Sequence, residues 1–188
     1  MRRRTLPESS GRGARATVGR GGVLRPIRPR VEPADVASRL APVLTWEDAP
    51  GVTERSWRLV ARTRDFEAWL IAWPVGGRVE LHDHGRSRGA MSVIGGRLVE
   101  AVPQRQDSGR LSLVVRAARA GETLGFDAGH VHDVVNRGPE PALSLHVYSP
   151  RLRSMTFYSM EVDRLVPRRV EWTDDRFEER AAAELAVR

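Results

Sequence analysis

The sequence predicts an all-β domain of barrel or sandwich type, preceded by a single helix and, ahead of that helix, by a basic arm. Three observations predict it. From residue 56 to 160, short runs rich in Val, Leu, Ile and Trp are separated by Gly, Pro and Asp at regular spacing. That is the pattern of many short strands rather than of βαβ units. The 188 residues, 40% hydrophobic and 29% charged, suffice for one domain with a real core and are too few for two ordinary ones. No apolar run approaches the ~20 residues that span a bilayer, so no membrane partner is expected.

The arm comes first. Residues 1–30 hold nine arginines against one acid, Glu8, for a charge of +8, and the remaining 22 basic and 23 acidic residues leave −1. The net +7 therefore belongs to the arm. It is rich in Gly, Arg and Pro without apolar periodicity, so it is expected to be disordered. A polyanion-binding tail, a targeting peptide and a plain solvated extension all fit that composition. Every basic residue in the chain is Arg, as a GC-rich genome would give, and no nucleic-acid-binding signature follows the arm, so nucleic acid is not the expected partner. The first thirty residues lack the ~7–15-residue apolar stretch of a secretory signal. With no cysteine, disulfides, Cys-ligated zinc, iron–sulfur clusters and a thiol nucleophile are excluded. A cytoplasmic protein is expected, with the arm at 1–30 and the folded domain at 31–188.

Pro33-Ala34-Asp35 opens a segment to Leu44 with apolar residues at Val36, Leu40 and Val43–Leu44. This spacing suits one amphipathic helix with Asp35 as its candidate N-cap. Strands are expected at 57–62, 66–73, 79–84, 90–94, 97–102, 111–117, 123–126, 131–136, 142–149 and 155–160. The charged stretch from Asp174 to Ala186 suits a final surface helix.

The chain has five histidines, and four of them fall in two pairs spaced i, i+2: His82 with His84 and His130 with His132. On a strand that spacing puts both side chains on one face. An exposed edge strand would simply show such a pair to water. In a barrel interior the same pair needs partners, because unpaired buried polar groups are costly, and a metal ion would satisfy both.

The surrounding glycines give the pairs a context. Gly76 is followed by five residues, His82-x-His84, four residues, Gly89, six residues and Gly96. After 24 residues come Gly121, five residues, Asp127-x-Gly129, two residues, His132, three residues and Asn136. This resembles the paired signature of the cupin superfamily, which implies a double-stranded β-helix (jelly-roll barrel). The resemblance makes His82, His84 and His132 the metal ligands and leaves His130 beside the centre without a ligand position. Asp127 stands where the signature has Pro, a turn variant. Gly89 stands where most cupins carry a carboxylate ligand. Three neutral imidazoles leave a divalent ion its full charge and about three open positions, which suits iron(II) binding both a substrate and O2 better than a closed zinc site.

An all-histidine cupin of this size resembles the thiol dioxygenases, specifically the bacterial branch of type I cysteine dioxygenase. The resemblance is carried by Leu81-His-Asp-His-Gly-Arg-Ser-Arg-Gly-Ala90, Gly96-Arg-Leu-Val-Glu100, His130-Val-His132 with Asn136, and Pro141-Ala-Leu-Ser-Leu-His-Val-Tyr-Ser-Pro150. It covers about residues 55–160. It implies one Fe(II), with L-cysteine and O2 as substrates, cysteine sulfinate as product, and a monomer. Eukaryotic members carry at position 89 a cysteine cross-linked to the active-site tyrosine; a chain without cysteine cannot form that group.

In Ser144-Leu-His146-Val-Tyr148 the three polar residues share one strand face. Alternation alone would put that face in solvent, whereas the resemblance implies a buried Ser–His–Tyr row beside the metal, with Tyr148 nearest the substrate. By the same resemblance Arg58 binds the substrate carboxylate, for which a guanidinium fork is suited, with Arg62 as the alternative if the register slips. Relatives that prefer 3-mercaptopropionate carry Gln there, so Arg argues for an amino-acid substrate. Met155 and Tyr158 either line the pocket or serve as ordinary strand residues. Two other functions fit: a dioxygenase for another small thiol (3-mercaptopropionate or cysteamine), and a non-catalytic small-molecule-binding cupin. A zinc or nickel isomerase is disfavoured by the missing carboxylate.

Overall fold

A computed structural model of the protein describes residues 31–173. The expected arm at 1–30 and the expected last helix at 174–186 lie outside the described residues. One helix, α1 (Pro33–Leu40), precedes eleven strands: β1 (Ser56–Arg62), β2 (Glu67–Trp73), β3 (Arg78–His82), β4 (Arg88–Gly95), β5 (Arg97–Arg105), β6 (Leu111–Arg119), β7 (Thr123–Phe126), β8 (His132–Val135), β9 (Ala142–Ser149), β10 (Ser154–Met160) and β11 (Leu165–Trp172). The ten expected strands are all present, and β11 is an addition. Among the described residues no helix is long and apolar enough to cross a membrane.

The helix starts one turn earlier than its expected cap. Glu32 occupies the N-cap position, and Asp35 lies in the first turn, where an acid complements the positive end of the helix dipole. Pro42 has no N–H to continue the ladder, so the helix gives way to a 3-10 turn at Ala41–Val43.

The strands form two antiparallel sheets, ordered β1-β2-β9-β4-β7 and β11-β10-β3-β8-β5-β6. The pairs are nested: β5 with β6, β4 with β7, β3 with β8 and β2 with β9. That nesting is the double-stranded β-helix of the cupin superfamily. At the corner between β4 and β5, Gly96 has φ +74°, and a Cβ there would come within 2.6 Å of the Pro141 carbonyl oxygen. Asn136 ties two corners together, donating to the carbonyls of Trp73 (3.1 Å), Pro74 (3.2 Å) and Glu140 (2.9 Å). The asparagine that closes the second half of the signature is thus a structural clamp.

Every residue of β2 and β9 is buried. Ala68, Leu70 and Ala72 of β2, with Leu143, Leu145 and Val147 of β9, face outward beneath α1 and the segment that follows it. Trp69, Ile71 and Trp73 face the interior. This cover decides the orientation of β9. Its apolar residues are claimed by the helix, so by alternation Ser144, His146 and Tyr148 point into the barrel. The polar face that alternation alone would put in water is therefore internal.

Candidate metal centre

His82 ends β3 and His132 begins β8, and the two are cross-strand partners in the register of that pair. His84 lies beyond the end of the strand, in a turn anchored by Asp83. The Asp83 carboxylate accepts from the backbone N–H of Gly85 (2.9 Å) and Thr156 (3.1 Å) and from the Tyr158 hydroxyl (2.6 Å). So the expected strand at 79–84 stops at His82, and a turn rather than strand alternation brings His84 to its neighbour. The three imidazole centroids form a nearly equilateral triangle with sides of 4.8, 4.7 and 5.0 Å.

Their second nitrogens explain the orientation. His82 Nδ1 lies 2.7 Å from the Glu80 carbonyl and His132 Nδ1 lies 2.6 Å from Glu100 Oε1, so both donate outward and leave Nε2 as a lone pair facing inward. His82 Nε2 and His84 Nε2 are 3.2 Å apart. Nitrogens bound ~2.1 Å from an ion at right angles would lie about 3.0 Å apart, so the spacing fits a divalent ion. All three side chains are buried, and a ligand atom from each falls within 4.8 Å of the others. Burial holds all three histidines below their ordinary pKa, and the neighbouring imidazoles add to the effect. Neutral imidazoles are what a metal ion requires. His82, His84 and His132 could therefore hold a metal.

Position 89 offers no fourth ligand. A Cβ on Gly89 would run into the Phe126 ring and come within 2.9 Å of the Val147 carbonyl oxygen. Phe126 fills that space and stacks on His84 (4.8 Å, 25°) and on His130 (5.5 Å, 20°).

Glu100, like Arg55 and Trp73, joins the site without having been a candidate from the sequence. It is 1% exposed and accepts from His132 Nδ1, from His130 Nε2 (3.0 Å) and from the Arg116 guanidinium. Burial works against its charge, but these hydrogen bonds outweigh burial and hold the carboxyl well below the usual carboxylate range. The available signal was an acid set directly after Leu98-Val99 in a strand that reads as apolar. His130 lies outside the His82–His84–His132 group and, with Glu100 and His132, forms a second group whose ligand atoms lie within 4.8 Å of one another.

The Ser–His–Tyr row is present and continues one residue further. Trp73 Nε1 donates to Ser144 Oγ (2.9 Å), Ser144 Oγ lies 3.0 Å from His146 Nε2, and His146 Nδ1 lies 3.4 Å from the Tyr148 hydroxyl. An indole N–H can only donate, and His146 is the only acceptor that Ser144 finds for its own proton among the described residues. Protons therefore run from Trp73 to Ser144 to His146 to Tyr148, and the Tyr148 O–H is left to point into the cavity. Burial lowers the His146 pKa to about 3 and raises that of the Tyr148 phenol well above its ordinary value, so both are neutral at physiological pH. The Tyr148 ring lies 5.0 Å from that of His84.

Of these groups, Trp73, His82, His132, His146 and Tyr148 line one cavity of about 370 Å³, within the usual range for small-molecule sites. The arginines need a correction. Arg58 does not line the cavity; it lies on the outer face of β1 and pairs with Asp48 (3.3 Å). Arg55 and Arg62 do line it. Arg62 is paired with the buried Glu67 (3.3 Å). Arg55 lies over the rings of Trp57 (4.9 Å) and Trp73 (5.7 Å), and no carboxylate of the described residues comes within ion-pair distance of it. Met155 lines the cavity, whereas Tyr158, three residues on and so of opposite parity, turns away to Asp83.

A family model described as cysteine dioxygenase type I matches residues 51–161. Among solved structures, the chain is similar to the TT1209 protein from Thermus thermophilus, with 23% identity over 52% of this chain and 85% of that one and a TM-score of 0.44. It is also similar to an uncharacterized conserved protein with a double-stranded β-helix domain from Klebsiella pneumoniae, with 26% identity over 54% and 81% and a TM-score of 0.41. A recombinant oxalate oxidase in complex with glycolate shares 22% identity over 57% of each chain, with a TM-score of 0.48.

Proposed function

This chain belongs to the cysteine dioxygenase type I family, and from that premise we propose that it holds one iron(II) on His82, His84 and His132 and oxidises the thiol of L-cysteine with O2 to cysteine sulfinate. The observation that carries this reading is a His82–His84–His132 group that could hold a metal, set at a cavity lined by His82, His132, Tyr148 and Arg55, a guanidinium with no carboxylate of the described residues within ion-pair distance. The bound ion would supply the redox chemistry, promoting ionisation of the thiol and bringing O2 within reach of sulfur. Both oxygen atoms end on the sulfur of one thiolate, so no external reductant enters the balance.

The chain's own residues provide binding, orientation and proton control. Arg55 grips the substrate carboxylate: burial disfavours its isolated charge, and an incoming carboxylate relieves that cost with a bidentate pair. Trp57 and Trp73 hold the guanidinium in place. Tyr148, kept protonated and fed by the row behind it, donates a hydrogen bond to oxygen at the reacting sulfur. Leu152 and Phe157 exclude water from the walls.

The cavity volume and the presence of Arg151 and Arg153 on its wall favour, as a second reading, a bulkier or more anionic thiol. Relative kcat/KM on L-cysteine, 3-mercaptopropionate, cysteamine and homocysteine separates the two. L-cysteine is expected to lead and cysteamine, which has no carboxylate for Arg55, to trail; a preference for cysteamine would overturn the carboxylate-binding reading.

A further inference from the structure

We infer that Glu100 is a positioning residue of the metal centre, supplying through His132 the negative charge that position 89 does not. This rests on the three-histidine metal reading and not on which thiol is oxidised.

The three ligands are backed unequally. His82 Nδ1 donates to a neutral carbonyl, that of Glu80. His84 Nδ1 is buried and has no hydrogen-bond partner among the described residues. His132 alone donates to a carboxylate, and at 2.6 Å its bond is the shorter of the two. A carboxylate behind an imidazole fixes the tautomer and makes the other nitrogen a stronger donor to metal. The His132 bond is thus the most electron-rich of the three.

Gly89 and Phe126 show why the charge sits one residue removed. The ring that closes position 89 to any side chain also stacks on His130. His130 in turn donates to Glu100 Oε1, the same oxygen that His132 uses, while Arg116 donates to Oε2. The carboxylate excluded from direct ligation is held on the far side of His132, and Arg116, with a side chain 46% exposed, offsets part of its charge. The opposing roles of Glu100 and Arg116 give the proposal a sign that can be tested.

Cobalt(II) alone is the probe, titrated into the full-length chain and followed by its visible absorption. Glu100→Gln should weaken cobalt binding by ~10–100-fold and shift the cobalt bands. Arg116→Met, which removes a donor from Glu100 at the surface, should shift the bands in the opposite direction. A folded Glu100→Gln protein with the wild-type affinity and spectrum would overturn the proposal. So would a loss of thermal stability in the metal-free variant with cobalt affinity unchanged, the signature of a merely structural acid. If Glu100→Gln does not fold, an unchanged spectrum in Arg116→Met overturns it instead. Failure of the wild-type chain to bind cobalt would remove the metal centre itself and this role with it.

Discussion

Arg58 and Arg62 lie four residues apart on β1 and face opposite sides of it. Strand alternation would put them on one face. The register of β1 against β2 shifts between Leu59 and Ala61, and this bulge sets Val60 and Ala61 together against the outer cluster and returns Arg62 to the cavity. Arg58 thus stays on the outer face, whereas Arg55, ahead of the strand, lines the cavity with no carboxylate of the described residues within ion-pair distance. Arg55→Gln should lower kcat/KM for L-cysteine by ~10–100-fold, mostly through KM, as loss of a charged hydrogen-bonded pair implies. Arg58→Gln should leave steady-state kinetics within about twofold of the wild-type values. The opposite ranking would contradict the placement.

The row from Trp73 to Tyr148 predicts a gradient of effects. Tyr148→Phe removes the group that faces the substrate and should slow kcat by about 10²-fold while metal content stays the same. Ser144→Ala interrupts the row two steps back and should cost about tenfold, the worth of one ordinary hydrogen bond. Metal analysis beside single-turnover kinetics checks both. Loss of metal in Tyr148→Phe would remove the residue from its assigned role.

Gly89 and Phe126 compete for one space. Gly89→Ala should cost ~1–3 kcal/mol of stability by overpacking, and Phe126→Leu in the same chain should recover part of it. Denaturant melts of the two singles and the double test this. Strict additivity would mean that the residues are not coupled.

Acid sensitivity follows from the buried imidazoles. His146 is held down to about 3, chiefly by burial, whereas in the unfolded chain it would titrate near its ordinary value of ~6.5. As pH falls through that window the unfolded chain takes up a proton that the folded chain refuses, so stability is full above ~6.5 and is lost progressively below it. Each pH unit costs about 1.4 kcal/mol for such a group, and the three ligand histidines, also lowered, act in the same direction. Urea midpoints of the metal-free chain at about pH 7, 6 and 5 should fall steadily, with a shallower slope in His146→Gln. A flat profile would contradict the neutral, buried state of these groups.

The strands and the histidine triad were legible because both are local patterns. Apolar runs broken by Gly, Pro and Asp mark strands wherever they occur, and the His and Gly spacings could be counted. What escaped depended on contacts far apart in sequence. β11 was not expected because Leu165–Trp172 is charged and carries Pro167, which an exposed edge strand tolerates beside the irregularity at Phe157/Tyr158. The side chain of Arg58 could not be oriented without the bulge that follows it. Glu100 reads in sequence as one more strand acid, and only the pairing of β5 with β8 brings it against His132. Burial of the Ser144–Tyr148 row required knowing that α1 covers the other face of β9.

The most direct test of the account is O2 uptake by the full-length chain, loaded anaerobically with iron(II) and given L-cysteine, with cysteine sulfinate measured in the same sample. The account predicts uptake matched one-to-one by sulfinate, and no uptake after His82→Ala or His132→Ala, which remove ligands. Stoichiometric iron with no O2 uptake on L-cysteine, 3-mercaptopropionate or cysteamine would contradict it.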